Sequence, residues 1–266
     1  MPYSYLWEDI FSPGKAVDFF SSNNPKPFET KKLSFSRTNA WWLSELSRLI
    51  YVRDANEVDT EYVTVSRNSF LNKMGLEEKW FYNGRYVKCA IIGTLTKHKK
   101  RSFSVLVFRG TEGRISNWFF NFNTLLSPWL SGGKVHRGFK LLLMEAWEEI
   151  NHQLESIKNP IYYTGHSLGG ALAVLAASLK QPEAVYTFGS PMIGNAEFVY
   201  STKHIKIYRV VNPNDIVAGV SPFPGMMHVG KPYYLNSSKS PHHERAWFEP
   251  PEFLADHSPL NYTFQL

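Results

Sequence analysis

Short apolar runs alternate with segments of helical period along most of this chain. Trp42, Leu46, Leu49 and Ile50 recur on one helix face, which predicts a helix capped by Thr38 or Asn39 and running to about Tyr51. Phe70, Leu71 and Met74 predict a shorter one. Trp80-Phe81-Tyr82 and the run from Tyr86 to Leu95 flank Asn83-Gly84, a dipeptide suited to a tight hairpin turn. Ser104-Val105-Leu106-Val107-Phe108 reads as a strand buried on both faces. Leu125 to Gly133 reads as loop, and a helix opens at His136 and runs to about Ser156. A β-branched and aromatic strand precedes Gly165, and residues 168 to 180 form a helix stopped by Gln181-Pro182. Ala184 to Gly189 and Ile205 to Val211 are further strands, and His228 to Leu235 reads as a late hairpin strand. Residues 1 to 35 form an irregular extension, broken at Pro13-Gly14 and at Asn23-Asn24-Pro25, and the tail from 236 to 266 is rich in proline. Strands alternating with helices imply an α/β fold with a mostly parallel central sheet and helices on both faces.

Composition narrows the classes. With 266 residues the chain can form one α/β domain over 1–266 with a large core. Eight Trp, fourteen Tyr and nineteen Phe mostly supply that core, and such residues also build lipid-facing pockets. Cys89 is the one cysteine, so no intramolecular disulfide can form, and its place in a strand-like run makes it a buried apolar residue. The net charge is +6, and its main cluster, Lys97-His98-Lys99-Lys100-Arg101, reads as a solvated hairpin tip, with attraction to anionic lipid as the alternative. No zinc-ligand spacing, phosphate-binding glycine loop or nucleic-acid module is present, so no metal, cofactor or nucleic-acid partner is expected. The first residues lack a basic start followed by an apolar run, which gives a cytoplasmic expectation and leaves a processed, secreted form open. No apolar stretch is long enough to span a bilayer.

The chemistry centres on Gly165-His166-Ser167-Leu168-Gly169, a G-x-S-x-G pattern set between a predicted strand and a predicted helix. In such a turn the serine sits in strained backbone, the glycines avoid collisions a Cβ would cause, and the hydroxyl is lifted above the sheet. The alternative, an ordinary serine in a glycine-rich turn, does not account for the matching context on both sides. A serine hydroxyl needs a base to take its proton and an acid to orient that base. On this kind of scaffold the order is Ser, then acid, then His. Only Asp215 and Asp256 follow Ser167 among the aspartates. Asp215 lies just past the strand ending at Val211, at the sheet edge where such sites form. Asp256 directly precedes His257, and adjacent side chains diverge, so it suits a turn or cap better. His228, His242, His243 and His257 all remain candidates for the base on order alone.

Several ordered blocks resemble the class 3 lipase family of α/β-hydrolases, which includes filamentous-fungal triacylglycerol lipases. They are Val107 to Thr111, Val135 to Phe139, Tyr163 to Leu172, Thr187 to Asn195, Tyr208 to Val217 and Asp256 to Tyr262. The resemblance implies an α/β-hydrolase fold with Ser167 as nucleophile, Asp215 as acid and His257 as base. It implies an oxyanion hole from the amides of Thr111 and Leu168, with the Thr111 hydroxyl as a further donor. It also places a short lid at residues 113 to 122. As a helix, that stretch would line up Ile115, Trp118, Phe119 and Phe122 on one face. Such a face would cover the site in water and make transient contact with a lipid interface. The expected activity is hydrolysis of acyl-glycerol or other small esters. Phospholipase A1, a soluble short-chain esterase, and an inactive lipid-binding or interaction protein are the alternatives. Oligomeric state is not legible.

Overall fold

The computed structural model describes residues 3–21, 25–54, 66–95, 102–111, 125–219, 221, 224–236 and 246–266. After a short helix α1 (Trp7–Phe11) come α2 (Arg37–Leu49), α3 (Arg67–Lys73), β1 (Leu76–Asn83), β2 (Lys88–Thr94) and β3 (Ser104–Phe108). A small pair, β4 (Leu126–Pro128) and β5 (Lys134–His136), leads into α4 (Arg137–Glu155), β6 (Ile161–His166), α5 (Leu168–Leu179) and β7 (Ala184–Phe188). Then follow α6 (Ala196–Ser201), β8 (Ile207–Val211), α7 (Ile216–Gly219), β9 (Lys231–Tyr234), α8 (Glu252–Ala255) and α9 (Pro259–Phe264).

The main sheet has the order β1-β2-β3-β6-β7-β8-β9. β1, β2 and β3 pair antiparallel, and every pairing from β3 onward is parallel. The parallel register sets Phe108 beside Gly165, His166 beside Phe188, and Phe188 beside Val210. Four strand ends therefore finish in line, and each is followed by one piece of the candidate site.

Alternation along the strands builds two cores. Leu106, Phe108, Tyr163, Val185 and Ile207 face α4 and α5, meeting Phe139, Leu143, Ile150 and Leu172. Val105, Val107, Tyr162, Tyr186 and Val210 face α2, meeting Leu43, Leu46 and Leu49. All five residues of β3 are buried, as expected where both faces are covered. α5 is apolar all round because it is buried on every side, which is why its alanines and glycines can pack so close to the strands.

Four expectations are corrected by the structure. The cap of α2 is Ser36, whose hydroxyl accepts the Asn39 N–H, two residues before the expected Thr38 or Asn39. Leu125 to Gly133, expected as loop, contains β4, which turns through Gly132 and Gly133 at positive φ to pair with β5. The late strand is shorter than 228–235 and pairs parallel with β8, because the chain crosses over through α7 instead of turning back directly. The tail, read from the sequence only as proline-rich, also contains two helices, with Pro259 in the first turn of α9, where its missing N–H costs nothing. The N-terminal extension carries α1 and inserts Phe19, Phe20 and Phe28 into the α2-side core. Cys89 is buried as expected. No helix among the described residues is long and apolar enough to cross a membrane. The lysine cluster at 97–101, the candidate lid with Ile115, Trp118, Phe119 and Phe122, and His242 and His243 lie outside the described residues.

Candidate active site

Ser167 sits between the last residue of β6 and the first of α5, with φ 56° and ψ −127°. A non-glycine residue at positive φ costs on the order of 1–3 kcal/mol and persists only where the surroundings hold it. Here the Ser167 N–H donates to the Phe188 carbonyl at 2.8 Å. Its glycine neighbours permit the close approach. A Cβ at Gly165 would lie 2.3 Å from the backbone of Gly169, and one at Gly169 would lie 2.2 Å from the Phe108 oxygen.

The Ser167 hydroxyl donates to Nε2 of His257 at 3.0 Å. On the far side of the ring, Nδ1–H donates to Oδ1 and Oδ2 of Asp215, each at 2.9 Å. That partner assigns the tautomer, leaving Nε2 free to accept. All three side chains are buried. Asp215 is itself held from several directions. The Val217 and Ala218 amides at the start of α7 donate to Oδ1 at 2.8 and 3.4 Å, and the Tyr262 hydroxyl donates to Oδ2 at 2.7 Å. Tyr262 is fully buried, its phenol pushed well up by that burial and by the Asp215 charge, so it serves as a fixed neutral donor. The same oxygen accepts the Asn212 N–H at 3.1 Å.

Gly189 follows β7 at φ +59° and lies against the acid–base pair. A Cβ there would stand 2.7 Å from Asp215 Oδ2 and 3.1 Å from His257 Nδ1. Neither Gly189 nor Tyr262 was assigned a role from the letters. The glycine at a strand's end and the tyrosine in the terminal block were the available signals.

The segment after β3 runs beside the serine turn. A Cβ at Gly110 would lie 2.7 Å from the His166 carbonyl, so the next residue, Thr111, borders the site. The Thr111 hydroxyl is buried and makes no hydrogen bond. Leu168 opens α5, where first-turn amides have no partner inside the helix.

The competing candidates have other places. His228 lies half-buried, its Nε2–H donating to the Ala218 carbonyl at 2.8 Å, and burial together with Arg209 lowers it to about 4. Asp256 caps the end of α8 with its carboxylate buried and without a hydrogen-bond partner of good geometry. Burial pushes it up to about 6, opposed by the nearby Asn214 amide. Among the described residues no cluster of three metal-ligating side chains occurs.

Residues 105–224 match the family described as Lipase (class 3). A secreted mono- and diacylglycerol lipase of Fusarium solani is 35% identical over 141 residues, spanning 46% of this chain and 41% of the relative. Phospholipase A1-IIbeta of Arabidopsis thaliana is 29% identical over 168 residues, spanning 54% and 39%. This chain thus spans less than half the length of these curated relatives. Among solved structures, lipase II from Rhizopus niveus superimposes with a TM-score of 0.54 at 26% identity, covering 65% of this chain and 71% of that one. His257 lies beyond the matched stretch, so its contact with Ser167 is an observation independent of the family match. With nucleophile turn, sheet order and matched core in agreement, the chain has the α/β-hydrolase fold, and its residues 105–224 are similar to the class 3 lipase family.

Proposed function

We propose that this protein is a serine carboxylester hydrolase that cleaves acyl-glycerol esters through an acyl-enzyme intermediate. The single observation that carries the proposal is the 3.0 Å contact between Ser167 Oγ and His257 Nε2, with the Asp215 carboxylate directly behind the ring. In this reading His257 takes the hydroxyl proton as Oγ attacks the acyl carbonyl. The tetrahedral oxyanion is held by the amides of Thr111 and Leu168, and the unpartnered Thr111 hydroxyl adds a third donor. Each such donor contributes about 3 kcal/mol to the transition state. His257 then gives its proton to the leaving alcohol. Water, activated by the same imidazole, attacks the acyl-enzyme and returns Ser167 to its starting state. Asp215 keeps the imidazole in one tautomer and stabilises its cation.

The Arabidopsis relative favours a second reading, cleavage of a phospholipid at the same site. Triolein, phosphatidylcholine and p-nitrophenyl butyrate assayed side by side separate the two, and butyrate turnover alone would reduce the assignment to a short-chain esterase. An inactive lipid-binding protein would have no reason to keep all three side chains in contact. Labelling by a fluorophosphonate tests this directly: an unlabelled wild type, or equal labelling of Ser167→Ala, would overturn the hydrolase reading. The Fusarium relative is a secreted lipase, so the cytoplasmic expectation finds no support there and a secreted role fits better.

A further inference from the structure

We propose that His166, the residue between Gly165 and Ser167, is a positioning residue that holds the base in register as a neutral donor aimed at its backbone. The inference rests on the hydrolase reading above and concerns how that site is kept in order. The His166 ring is fully enclosed. Its Nε2 lies 2.7 Å from the backbone carbonyl oxygen of His257. A carbonyl only accepts, so Nε2 must carry the proton and donate it. Nδ1 of the neutral ring is then an acceptor, and it takes the Tyr51 O–H at 3.2 Å. One tautomer satisfies both contacts: the His257 carbonyl selects it, and Tyr51 donates to the nitrogen left as acceptor.

The surroundings leave this arrangement little freedom. Tyr51 lies in the turn after α2, buried, and its hydroxyl fits against Gly110, where a Cβ would stand 2.1 Å away. The relay therefore touches the segment that leads to Thr111, the serine turn and the turn that carries the base. The two imidazole rings lie 4.7 Å apart between centroids. Burial and the His257 ring both hold His166 well below the ordinary histidine range, so it stays uncharged while its neighbour accepts the serine proton. The main chain of His257 is gripped at two points, its N–H by the Leu254 carbonyl at 3.1 Å and its C=O by His166. With the backbone fixed there, the imidazole has only its own torsions with which to bridge Asp215 and Ser167. A shift of about 1 Å in such a bridge is enough to cost on the order of a hundredfold in rate.

A histidine that merely fills space would be replaced by phenylalanine without kinetic effect. The test compares wild type, His166→Phe, His166→Gln and Tyr51→Phe in the full chain, using p-nitrophenyl butyrate as a soluble ester. The glutamine keeps a donor for the His257 carbonyl. His166→Phe is expected to lower kcat by roughly ten- to a hundredfold with KM little changed, as for other groups that orient a reacting side chain through a hydrogen bond. His166→Gln is expected to recover most of that loss, and Tyr51→Phe to lose about two- to fivefold, since it removes only the partner of His166 Nδ1. The downfield proton resonance of the His257–Asp215 hydrogen bond should weaken in His166→Phe and return in His166→Gln. Equal kcat in wild type and a folded His166→Phe overturns the inference while leaving the hydrolase reading intact. So does a glutamine variant no better than the phenylalanine one. If His166→Phe fails to fold, Tyr51→Phe at wild-type kcat overturns it. A wild type that neither turns over the ester nor takes the fluorophosphonate overturns the hydrolase reading itself, and this inference falls with it.

Discussion

Tyr262→Phe removes one oxygen and nothing else, at a point where two buried groups depend on that oxygen. The ring is fully enclosed, so the substitution leaves packing intact. Asp215 Oδ2 loses a donor at 2.7 Å, and the Asn212 N–H loses its acceptor at 3.1 Å. A hydrogen bond to a charged group contributes about 1.5–3 kcal/mol, and a buried amide left unpaired costs about 1–3 kcal/mol. The two losses share one hydroxyl, and Asp215 keeps the Val217 amide and His257, so the sum is below the additive limit, at about 3 kcal/mol. For a chain of this size that lowers the melting temperature by about 6–12 °C. The catalytic effect follows from Asp215 being free to swing, which loosens the imidazole it orients, and a loss of about tenfold in kcat/KM is expected. Scanning calorimetry and p-nitrophenyl butyrate kinetics on the same preparation give both numbers. A variant melting within about 2 °C of wild type would refute the assignment of two buried hydrogen bonds to this hydroxyl.

Gly189→Ala would drive a Cβ to 2.7 Å from Asp215 Oδ2 in a backbone region that alanine avoids. A folded variant, verified by circular dichroism, should lose at least about a hundredfold in kcat/KM as the acid and base are pushed apart. Asp256 has its folded-state pKa raised from 3.8 to about 6, so its contribution is fully present below 3.8 and lost as pH rises through about 6. Asp256→Asn should therefore be more stable than wild type at pH 8 by about 1–3 kcal/mol, with the gain fading toward pH 4, as read from urea midpoints at the two pH values. Thr111→Val removes a buried hydroxyl with no partner in the resting site, so it should leave stability nearly unchanged and lower kcat on the order of a hundredfold with little change in KM. Unchanged kcat would assign oxyanion binding to the amides alone.

The local parts of this fold were legible because their signals are local. Ser104 to Phe108 is a strand at the expected residues, Asn83-Gly84 stands at the hairpin between β1 and β2, and the strand–serine–helix unit at 161–179 begins and ends within a residue of expectation. The missed elements are those too short to show a period: β4 and β5 have three residues each, and α1, α6, α7, α8 and α9 have four to six. The direction of β9 depends on where the crossover through α7 deposits it, which no alternation pattern encodes. The site divides in the same way. Ser167 and Asp215 stood out from motif and strand end, whereas chain order alone left four histidines open, and resemblance to a family singled out His257. Gly189, Tyr262 and His166 act through neighbours distant in sequence, as the 47-residue separation of Tyr262 from Asp215 illustrates, so their letters alone carry no sign of the task.

The stitching of residues 4 to 9 onto the segment that follows His257 has a consequence for the integrity of the site. Ser4 exchanges two hydrogen bonds with Asn261, and the Ser258 hydroxyl donates to the Asp9 carbonyl, on either side of the turn that follows His257. The base also lies 90 residues downstream of the nucleophile. In the proposed reading, the segment that delivers the imidazole is therefore clasped by a stretch lying 257 residues from Asn261 in sequence. Under that reading, a protease cutting between Ser4 and Asp9 would quench the chemistry without severing a single strand of the sheet.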